Sequence, residues 1–306
     1  TLPPRSCKQP HDKSVEAFCQ RWLPQEGFDL IHSHCIQVLG IGPLIVAREL
    51  GIPYAITLHD GWWLSPWQFL TTPTGRSVQV NDPLSHLEGM RIKGEEKAAA
   101  LERDLSLREV LRGASARWAV SEPFAALHRE AGVADVTVME NRWQPMIQHN
   151  RRSSRPANQP LRCCFIGGMA LHKGFAVLQA AFLQARPVEP GLQLTIVDSL
   201  LKSGEVSEVE WGTTSVRFVA PVPMDEMETF YAEQDVLLAP SIWPESYGLV
   251  SREALSSGLW VVASDIGALA DSIRDGENGS RVSAGDVDGL AIVLEKLSAG
   301  HPNPQP

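Results

Sequence analysis

The sequence predicts an α/β fold in which two domains each contain a parallel β-sheet. Short apolar runs alternate with helical patterns along most of the chain, which is the pattern of strands joined by crossover helices. The pattern stops at residues 141–160, which contain three prolines, four arginines and little apolar periodicity, and then restarts. The 306 residues are enough for two domains of ~150 residues each. Helices should therefore cover both faces of each sheet.

The first half of the chain predicts one α/β domain at residues 1–145. One short amphipathic helix precedes the first strand, and Gly51 and Ser121 mark the end of one helix and the N-cap of another. A polar stretch with proline and glycine, 65–89, is too irregular for a strand or helix. The predicted strands are 28–33, 54–58, 117–121 and 136–139, and the other predicted helices are 42–50, 94–112 and 122–131.

The second half predicts another α/β domain at 161–297, after a linker at 146–160 and before a loose tail at 298–306. Five apolar runs alternate with helical segments, so the sheet should again be parallel. The predicted strands are 161–166, 192–197, 216–219, 236–239 and 259–263, and the predicted helices are 174–185, 224–233, 286–297 and one that follows Gly248. Ligands of such sheets bind at the carboxyl ends of the strands, and two facing domains leave a cleft there.

Composition excludes several classes of function. The net charge of −9 argues against nucleic-acid binding, although Arg151, Arg152 and Arg155 form either a small basic patch or part of a solvated linker. No uncharged apolar run approaches 18 residues, and the first residues lack the apolar core of a secretory signal. The five cysteines include no C-x-x-C pair, which argues against a zinc or redox site, and Cys163 and Cys164 lie in an apolar run. We therefore expect a cytoplasmic protein.

The most informative motif is a pair of glutamates, Glu245 and Glu253, eight positions apart. The turn between them, 246–248, opens into a helix, so Glu245 should precede the helix and Glu253 should lie inside it. The backbone N–H groups of Tyr247, Gly248 and Leu249 would point outward at the helix start, where a phosphate can bind. Carboxylates beside an anion site are suited to binding sugar hydroxyls next to a diphosphate.

A second motif follows the strand that ends at Ile166. Gly167 and Gly168 allow close backbone approach, and Lys173-Gly174 precede a helix. A lysine at a helix N-terminus is unfavourable unless an anion is bound there, so Lys173 is a candidate diphosphate ligand rather than a surface lysine. The glycine spacing matches neither a Walker A loop nor the dinucleotide-binding fingerprint.

Histidines follow two strands of the first half. His59 comes just after a strand end and should face the cleft, where it can hydrogen bond to a substrate sugar. His32 and His34 should share one face of the preceding strand, and structural bonding is the favoured interpretation of both. No carboxylate cluster accompanies them, so a metal site is not predicted. Nearby tryptophans predict either a stacking floor for a sugar ring or ordinary packing: Trp62, Trp63 and Trp67.

These motifs together resemble the large retaining glycosyltransferase family 4. Residues 241–255, Ser-Ile-Trp-Pro-Glu-Ser-Tyr-Gly-Leu-Val-Ser-Arg-Glu-Ala-Leu, are similar to its E-x7-E signature, and 165–174 resemble its phosphate loop. Further similarity to its N-domain strands and closing motifs lies at 29–34, 57–60, 261–267 and 275–279. The resemblance extends from about residue 28 to residue 297.

The resemblance implies a GT-B fold, in which two Rossmann-like domains face a cleft. Residues 1–145 would form the acceptor-side domain, and residues 161–297 would form the domain that binds the nucleotide-sugar donor. The reaction would move a sugar from a nucleotide diphosphate sugar to an acceptor with retention of configuration, and without a required metal or other cofactor. Lys173 would neutralise the leaving diphosphate, Glu245 would bind the transferred sugar, Glu253 would bind the ribose, and His59 would contact the sugar from the other domain. The glycine loop (Gly167, Gly168) and the amides of Tyr247, Gly248 and Leu249 would complete the donor site.

The chain departs from the family pattern at several positions. Gly168 stands where the family has an arginine before the lysine, so Lys173, Arg162 or another arginine would stabilise the charge. Val197-Asp198-Ser199 replaces a Gly-x-Gly segment. Only 28 residues precede Asp29, and they do not read as the family's first strand and glycine loop, so we expect an incomplete N-terminal domain.

The sequence leaves three functions open. The first is a glycosyltransferase acting on a glycan or lipid-linked acceptor, as in surface polysaccharide synthesis, with peripheral contact at the inner membrane face. The second is a non-catalytic GT-B remnant that binds nucleotide or a partner. The third is a GT-B sugar-nucleotide epimerase. The glutamate pair favours transfer over epimerisation, whereas the shortened N-terminus favours the remnant.

Overall fold

The computed structural model describes residues 10–82, 85–87, 94–143, 145, 156 and 158–300. It divides into two compact units, Thr1–Asn141 and Arg142–Pro306. The arginines of the predicted linker lie outside the described residues, as does the end of the predicted tail: Arg151, Arg152, Arg155 and 301–306.

The first unit contains a four-stranded parallel sheet with helices. Its strands are β1 (Ile31–Ser33), β2 (Tyr54–Leu58), β3 (Ala116–Ala119) and β4 (Val136–Val138), and its α-helices are α1 (Lys13–Glu26), α2 (Gly42–Glu49), α3 (Gly94–Gly113) and α4 (Glu122–Glu130). The strands pair in sequence order, and every pairing is parallel. All five residues of β2 are buried, so the core of this unit lies on both faces of that strand.

Local sequence signals set the helix ends of the first unit. The Asp12 carboxylate accepts hydrogen bonds from the Ser14 and Val15 amides at the start of α1, and Gly27 ends this helix in the left-handed conformation at φ 63°. Ser121 caps α4 as predicted, because its hydroxyl accepts from the Phe124 amide at 3.2 Å.

The second unit contains a seven-stranded sheet in the order β11-β10-β9-β5-β6-β8-β7. Its strands are β5 (Leu161–Ile166), β6 (Leu192–Val197), β7 (Val206–Trp211), β8 (Thr214–Val219), β9 (Val236–Ala239), β10 (Trp260–Ser264) and β11 (Gly279–Val282), and its α-helices are α5 (Phe175–Gln184), α6 (Met227–Ala232), α7 (Leu249–Ser256) and α8 (Val287–Ala299). Two apolar clusters pack on the two faces of this sheet, one with Cys163 and one with Cys164. Both thiols are fully buried, which confirms that they behave as small hydrophobic residues.

The α/β prediction is confirmed, with four corrections. The prediction of a wholly parallel second sheet is wrong, because β7 pairs antiparallel to β8 at the sheet edge. This strand escaped detection because it is exposed except at Trp211, and β11 was also missed. β1 begins three residues later than predicted, because Phe28 packs on Trp22 of α1, with ring centroids 5.4 Å apart. The tail begins later than residue 298, because α8 continues to Ala299.

None of the described helices combines the length and the apolar character that a bilayer crossing requires.

Candidate functional site

The candidate site lies on two loops that follow adjacent parallel strands. β5 and β9 are neighbours in the sheet, so the loops after them, 167–174 and 240–248, leave the same edge. The loops contact each other directly, because the Ile242 amide donates to the His172 carbonyl at 3.0 Å. This contact joins two motifs that are far apart in the sequence.

Gly174 makes the close approach of the loops possible. Its φ is +81°, and a Cβ at this position would lie 1.8 Å from the carbonyl oxygen of Pro240. Both the backbone conformation and the space therefore require glycine. Since Gly174 immediately follows Lys173, the same packing fixes the backbone of that lysine.

The side chains of Lys173 and Glu245 meet between these loops. The Lys173 ammonium donates to Glu245 Oε1 at 2.7 Å, and the Ser241 hydroxyl donates to the same oxygen at 2.6 Å. The Glu245 side chain is 10% exposed and that of Lys173 is 29% exposed. Glu245 Oε2 accepts no hydrogen bond from a described residue. A half-buried ammonium and a carboxylate with one open oxygen thus lie side by side.

Two further residues surround the lysine. The buried ring of Trp243 has its centroid 6.0 Å from the Lys173 ammonium nitrogen, within the range of a cation–π contact. A Cβ on Gly167 would lie 3.0 Å from Lys173 Cβ, so this glycine leaves room for the lysine stem. Gly168 has φ +56° and packs beside Asp198, whose Oδ1 would be 3.2 Å from a Cβ there.

The turn before α7 is fixed by two close backbone contacts. Gly248 has φ +69°, and a Cβ there would lie 2.9 Å from Leu269 Cα. Gly267 has φ +59°, and its Cβ would lie 2.5 Å from the Glu245 carbonyl oxygen. The amides of Gly248 and Leu249 donate to no described residue, as expected at a helix start.

Arg252 also holds this turn. Its guanidinium lies 4.4 Å from the centroid of the buried Tyr247 ring, and its Nε donates to the Tyr247 carbonyl at 3.1 Å. Its Nη1 donates to Ser272 at 2.8 Å. Arg252 of α7 therefore holds the predicted donor-binding turn, 246–248, in place.

Glu253 lies one turn into α7 and has a buried partner. The hydroxyl of Tyr231, which is fully buried, donates to Glu253 Oε2 at 3.2 Å. Burial raises the pKa of Glu253 above its usual value, and the Tyr231 hydrogen bond opposes that rise. Burial also raises the pKa of Tyr231, so this phenol stays protonated and donates.

The histidine motif lies in the first unit, at the carboxyl ends of β1 and β2. His34 Nδ1 and His59 Nε2 are 2.9 Å apart, and His32 Nε2 hydrogen bonds to the Thr57 hydroxyl at 2.8 Å. The rings of His32 and His34 are 4.1 Å apart, which confirms that they share a face. Partial desolvation and, after it, the charge of His34 lower the pKa of His59 and of His32. His32 and His34 are exposed, so the structural interpretation holds through bonding and not through burial.

The tryptophan cluster is mainly a packing feature. Trp62 and Trp63 are buried, with rings edge to face at 6.3 Å, and the guanidinium of the buried Arg103 lies 4.4 Å from the Trp62 centroid. The stacking-floor interpretation is therefore wrong for Trp62 and Trp63. Trp67 is half-buried.

Arg162 does not reach the site. Its guanidinium makes two hydrogen bonds to Asp235, at 2.9 and 3.0 Å, and its amide donates to the same carboxylate. Arg162 lies at the beginning of β5, whereas the Lys173 loop leaves the other end of that strand. The expectation that it replaces the missing arginine of the phosphate loop is wrong.

Sequence reasoning found the loops and included Ser241 in the glutamate motif, but it gave this residue no role, although its hydroxyl donates to Glu245. Tyr231 and Arg252 received no role either, although Tyr231 bonds to Glu253 and Arg252 bonds to the Tyr247 backbone. Ser241 follows a strand end, which was an available signal. Among the described residues, no three His, Cys, Asp or Glu side chains are grouped so that they could hold a metal ion.

Comparisons with known proteins agree on one family. The family model "Glycosyl transferases group 1" matches residues 160–299, and "Glycosyl transferase 4-like domain" matches residues 2–142. The D-inositol 3-phosphate glycosyltransferase of Corynebacterium jeikeium is 33% identical over 301 residues, which are 93% of this chain and 67% of that protein. A glycogen synthase of Mycobacterium tuberculosis is 28% identical over 180 residues, 54% of this chain and 40% of that protein.

Solved structures show the same fold. The sucrose-phosphate synthase of Thermosynechococcus elongatus matches with a TM-score of 0.65 at 20% identity, over 98% of this chain and 71% of that one. Anabaena Alr3699/HepE in complex with UDP-glucose matches with a TM-score of 0.63 at 20% identity, over 92% and 71%. The prediction of a GT-B fold is therefore confirmed.

Proposed function

Since this chain belongs to the group 1 glycosyltransferases, we propose that it moves a sugar from a nucleotide diphosphate sugar to an acceptor hydroxyl, with retention of configuration. The observation that carries this proposal is the contact between Lys173 and Glu245 at the carboxyl ends of β5 and β9. It joins a cation suited to a diphosphate and a carboxylate suited to sugar hydroxyls.

Lys173 is the group that stabilises the leaving diphosphate. One of its three N–H bonds is directed to Glu245, and its side chain stays partly exposed, so it can donate to phosphate oxygens. The N–H groups of Gly248 and Leu249 add the positive end of α7. Charge develops on the diphosphate as the glycosidic bond breaks, so these donors act where catalysis needs them. The proposal includes no metal ion.

The two glutamates divide the recognition of the donor. Glu245 has its open Oε2 for a hydroxyl of the transferred sugar, while Ser241 and Lys173 hold Oε1. Glu253 is held by Tyr231 and accepts the ribose hydroxyls. Gly167 and Gly168 keep side chains away from the loop that faces the phosphates.

The reaction needs no protein base in this proposal. The acceptor oxygen bonds to the anomeric carbon on the face that the diphosphate leaves, and the acceptor proton passes to the departing phosphate oxygen. The electron pair of the broken bond stays on the diphosphate. For His59 we propose a hydrogen bond to the sugar, and burial favours the neutral imidazole because it lowers the pKa of His59.

For the acceptor, we propose a glycan or a lipid-linked sugar, used in surface polysaccharide synthesis at the cytoplasmic membrane face. Relatives named as inositol phosphate and glycogen enzymes use different acceptors. The choice depends on pocket differences of ~1–3 kcal/mol.

Release of nucleoside diphosphate is the direct test. The protein is incubated with UDP- and GDP-sugars, with and without candidate acceptors and with a chelator in parallel. Wild-type protein should release diphosphate, the chelator should not change the rate, and Glu245→Gln and Lys173→Ala should each lower it at least ~100-fold, the scale on which one charge-stabilising donor contributes.

The matched control is Glu208→Gln, which removes one carboxylate from an exposed ion pair on β7, the outermost strand. It should release diphosphate at the wild-type rate. Diphosphate binding without turnover of any donor would instead support a non-catalytic GT-B protein. Interconversion of donor epimers would support an epimerase.

A further inference from the structure

The ion pair of Lys173 and Glu245 places a negative charge where the donor's diphosphate should bind. Among the described residues, Glu245 is the carboxylate within ion-pair distance of the Lys173 ammonium, at 2.7 Å. Ser241 anchors the same oxygen, and the Gly267 contact fixes the Glu245 backbone. The carboxylate therefore cannot be swung away without breaking these contacts.

Such an arrangement acts differently on the donor and on the product. A free nucleoside diphosphate has a terminal phosphate whose second pKa is about 6, so it carries about three negative charges at neutral pH. In the nucleotide sugar the terminal oxygen is bonded to the sugar, and the charge is about two. The free product must bring an additional charge close to Glu245, and it offers no sugar hydroxyl to that carboxylate.

The intact donor has a sugar that can offset the charge of the same carboxylate. A hydroxyl of that sugar can donate to Glu245 Oε2, which accepts no hydrogen bond from a described residue. Repulsion of one ligand together with a new bond to the other is a general route to specificity.

We propose that the Glu245 carboxylate, held by Lys173 and Ser241, makes the site discriminate against free nucleoside diphosphate and in favour of the intact nucleotide sugar, and so favours product release. This inference rests on the proposed function. It makes Glu245 a specificity determinant in addition to a ligand of the transferred sugar.

The test compares the dissociation constants of a diphosphate and its sugar, with UDP and UDP-glucose and with GDP and GDP-mannose, by titration calorimetry. Glu245→Gln keeps the size of the side chain but removes its charge. It should lower the dissociation constant of the free diphosphate by about fivefold, the factor that roughly 1 kcal/mol gives, and raise that of the nucleotide sugar. The ratio of the diphosphate constant to the nucleotide-sugar constant should therefore fall by at least about tenfold.

The Lys173→Ala background tests whether the Glu245 carboxylate acts through its own charge. In that background the carboxylate keeps its charge and its Ser241 contact, so Glu245→Gln should still lower the ratio. Glu245→Asp keeps the charge but shortens the side chain, so its ratio should lie between those of wild type and Glu245→Gln. Glu208→Gln is again the charge-matched control, because β7 is three strand spacings from β5, about 14 Å.

The outcomes distinguish failure of the proposed function from failure of this inference alone. If wild-type protein binds neither ligand of either pair, both the proposed function and this inference fail. If it binds both but Glu245→Gln leaves the ratio unchanged, only the inference is overturned. It is also overturned if Glu245→Gln leaves the ratio unchanged in the Lys173→Ala background. Thermal unfolding of each variant confirms that binding is measured on folded protein.

Discussion

Acidification should destabilise the first unit through one buried histidine, His128 of α4. Its side chain is completely buried and packs edge to face on Phe124, with ring centroids 4.7 Å apart. Nδ1 donates to the Phe124 carbonyl at 2.9 Å, and Nε2 has no hydrogen-bond partner among the described residues. Protonation of Nε2 would therefore bury an unpaired charge.

The magnitude follows from the difference between the folded and unfolded states. Burial lowers the pKa of His128 from 6.5 to about 4. Between these values the unfolded state binds more protons than the folded state, so stability is lost as the pH falls through this window. Between pH 7.5 and pH 5 the loss is about 2 kcal/mol, at ~1.4 kcal/mol per pH unit once the pH is below 6.5.

Hydrogen exchange measures this loss at the helix concerned. The opening free energy of peptides that span α4 is compared at pH 5 and pH 7.5 after correction for intrinsic exchange. His128→Leu has no proton to bind, so it should remove about 2 kcal/mol from the pH dependence, whatever its own stability at pH 7.5. An equal pH dependence in wild type and variant would refute the reasoning.

Two further substitutions test single contacts in the second unit. Tyr231→Phe removes the hydroxyl that donates to Glu253, so it should weaken binding of a ribonucleoside diphosphate by about tenfold in calorimetry. It should change the binding of a 2′,3′-dideoxy analogue little, because that analogue has no ribose hydroxyls for Glu253. Equal weakening of both ligands would show that Tyr231 has a packing role only. Gly174→Ala should lower the free energy of unfolding by about 3 kcal/mol or more. The added Cβ would clash with the Pro240 carbonyl oxygen, and alanine is also strained at the left-handed φ of this position. Gly276→Ala is its control, since φ there is +79° but no atom lies within 4 Å, and an equal loss in both variants would disprove the role of the contact.

Local patterns were sufficient for most elements of the fold. The bounds of β2, β5 and β6 are as the sequence predicted, because each is a short apolar run between turn residues. β7 lacks that pattern: it lies at the sheet edge and buries only its last residue, so its identity comes from pairing with β8. Such an edge strand can be recognised only once its neighbour is known.

The same distinction applies to the site. Glycines, a lysine at a helix start and two glutamates marked the loops, because each is locally unusual. The bond between Lys173 and Glu245 spans 72 positions, and it depends on β9 lying next to β5. Sequence order does not specify that adjacency, since three strands intervene between these two along the chain. The roles of Ser241 and Tyr231 were hidden for the same reason.

Glycine contacts and backbone hydrogen bonds together fix the loops that carry the ion pair. Gly174 brings the lysine loop against Pro240, and Gly267 brings a third loop against the backbone of Glu245. Each contact is between backbone atoms, so it cannot be adjusted by a rotamer change. A bond of 2.7 Å between a half-buried ammonium and a buried carboxylate contributes to binding only if both backbones are fixed within a fraction of an ångström. Selection for donor over product at this site would therefore act on Gly174 and Gly267 as strongly as on the charged residues they position.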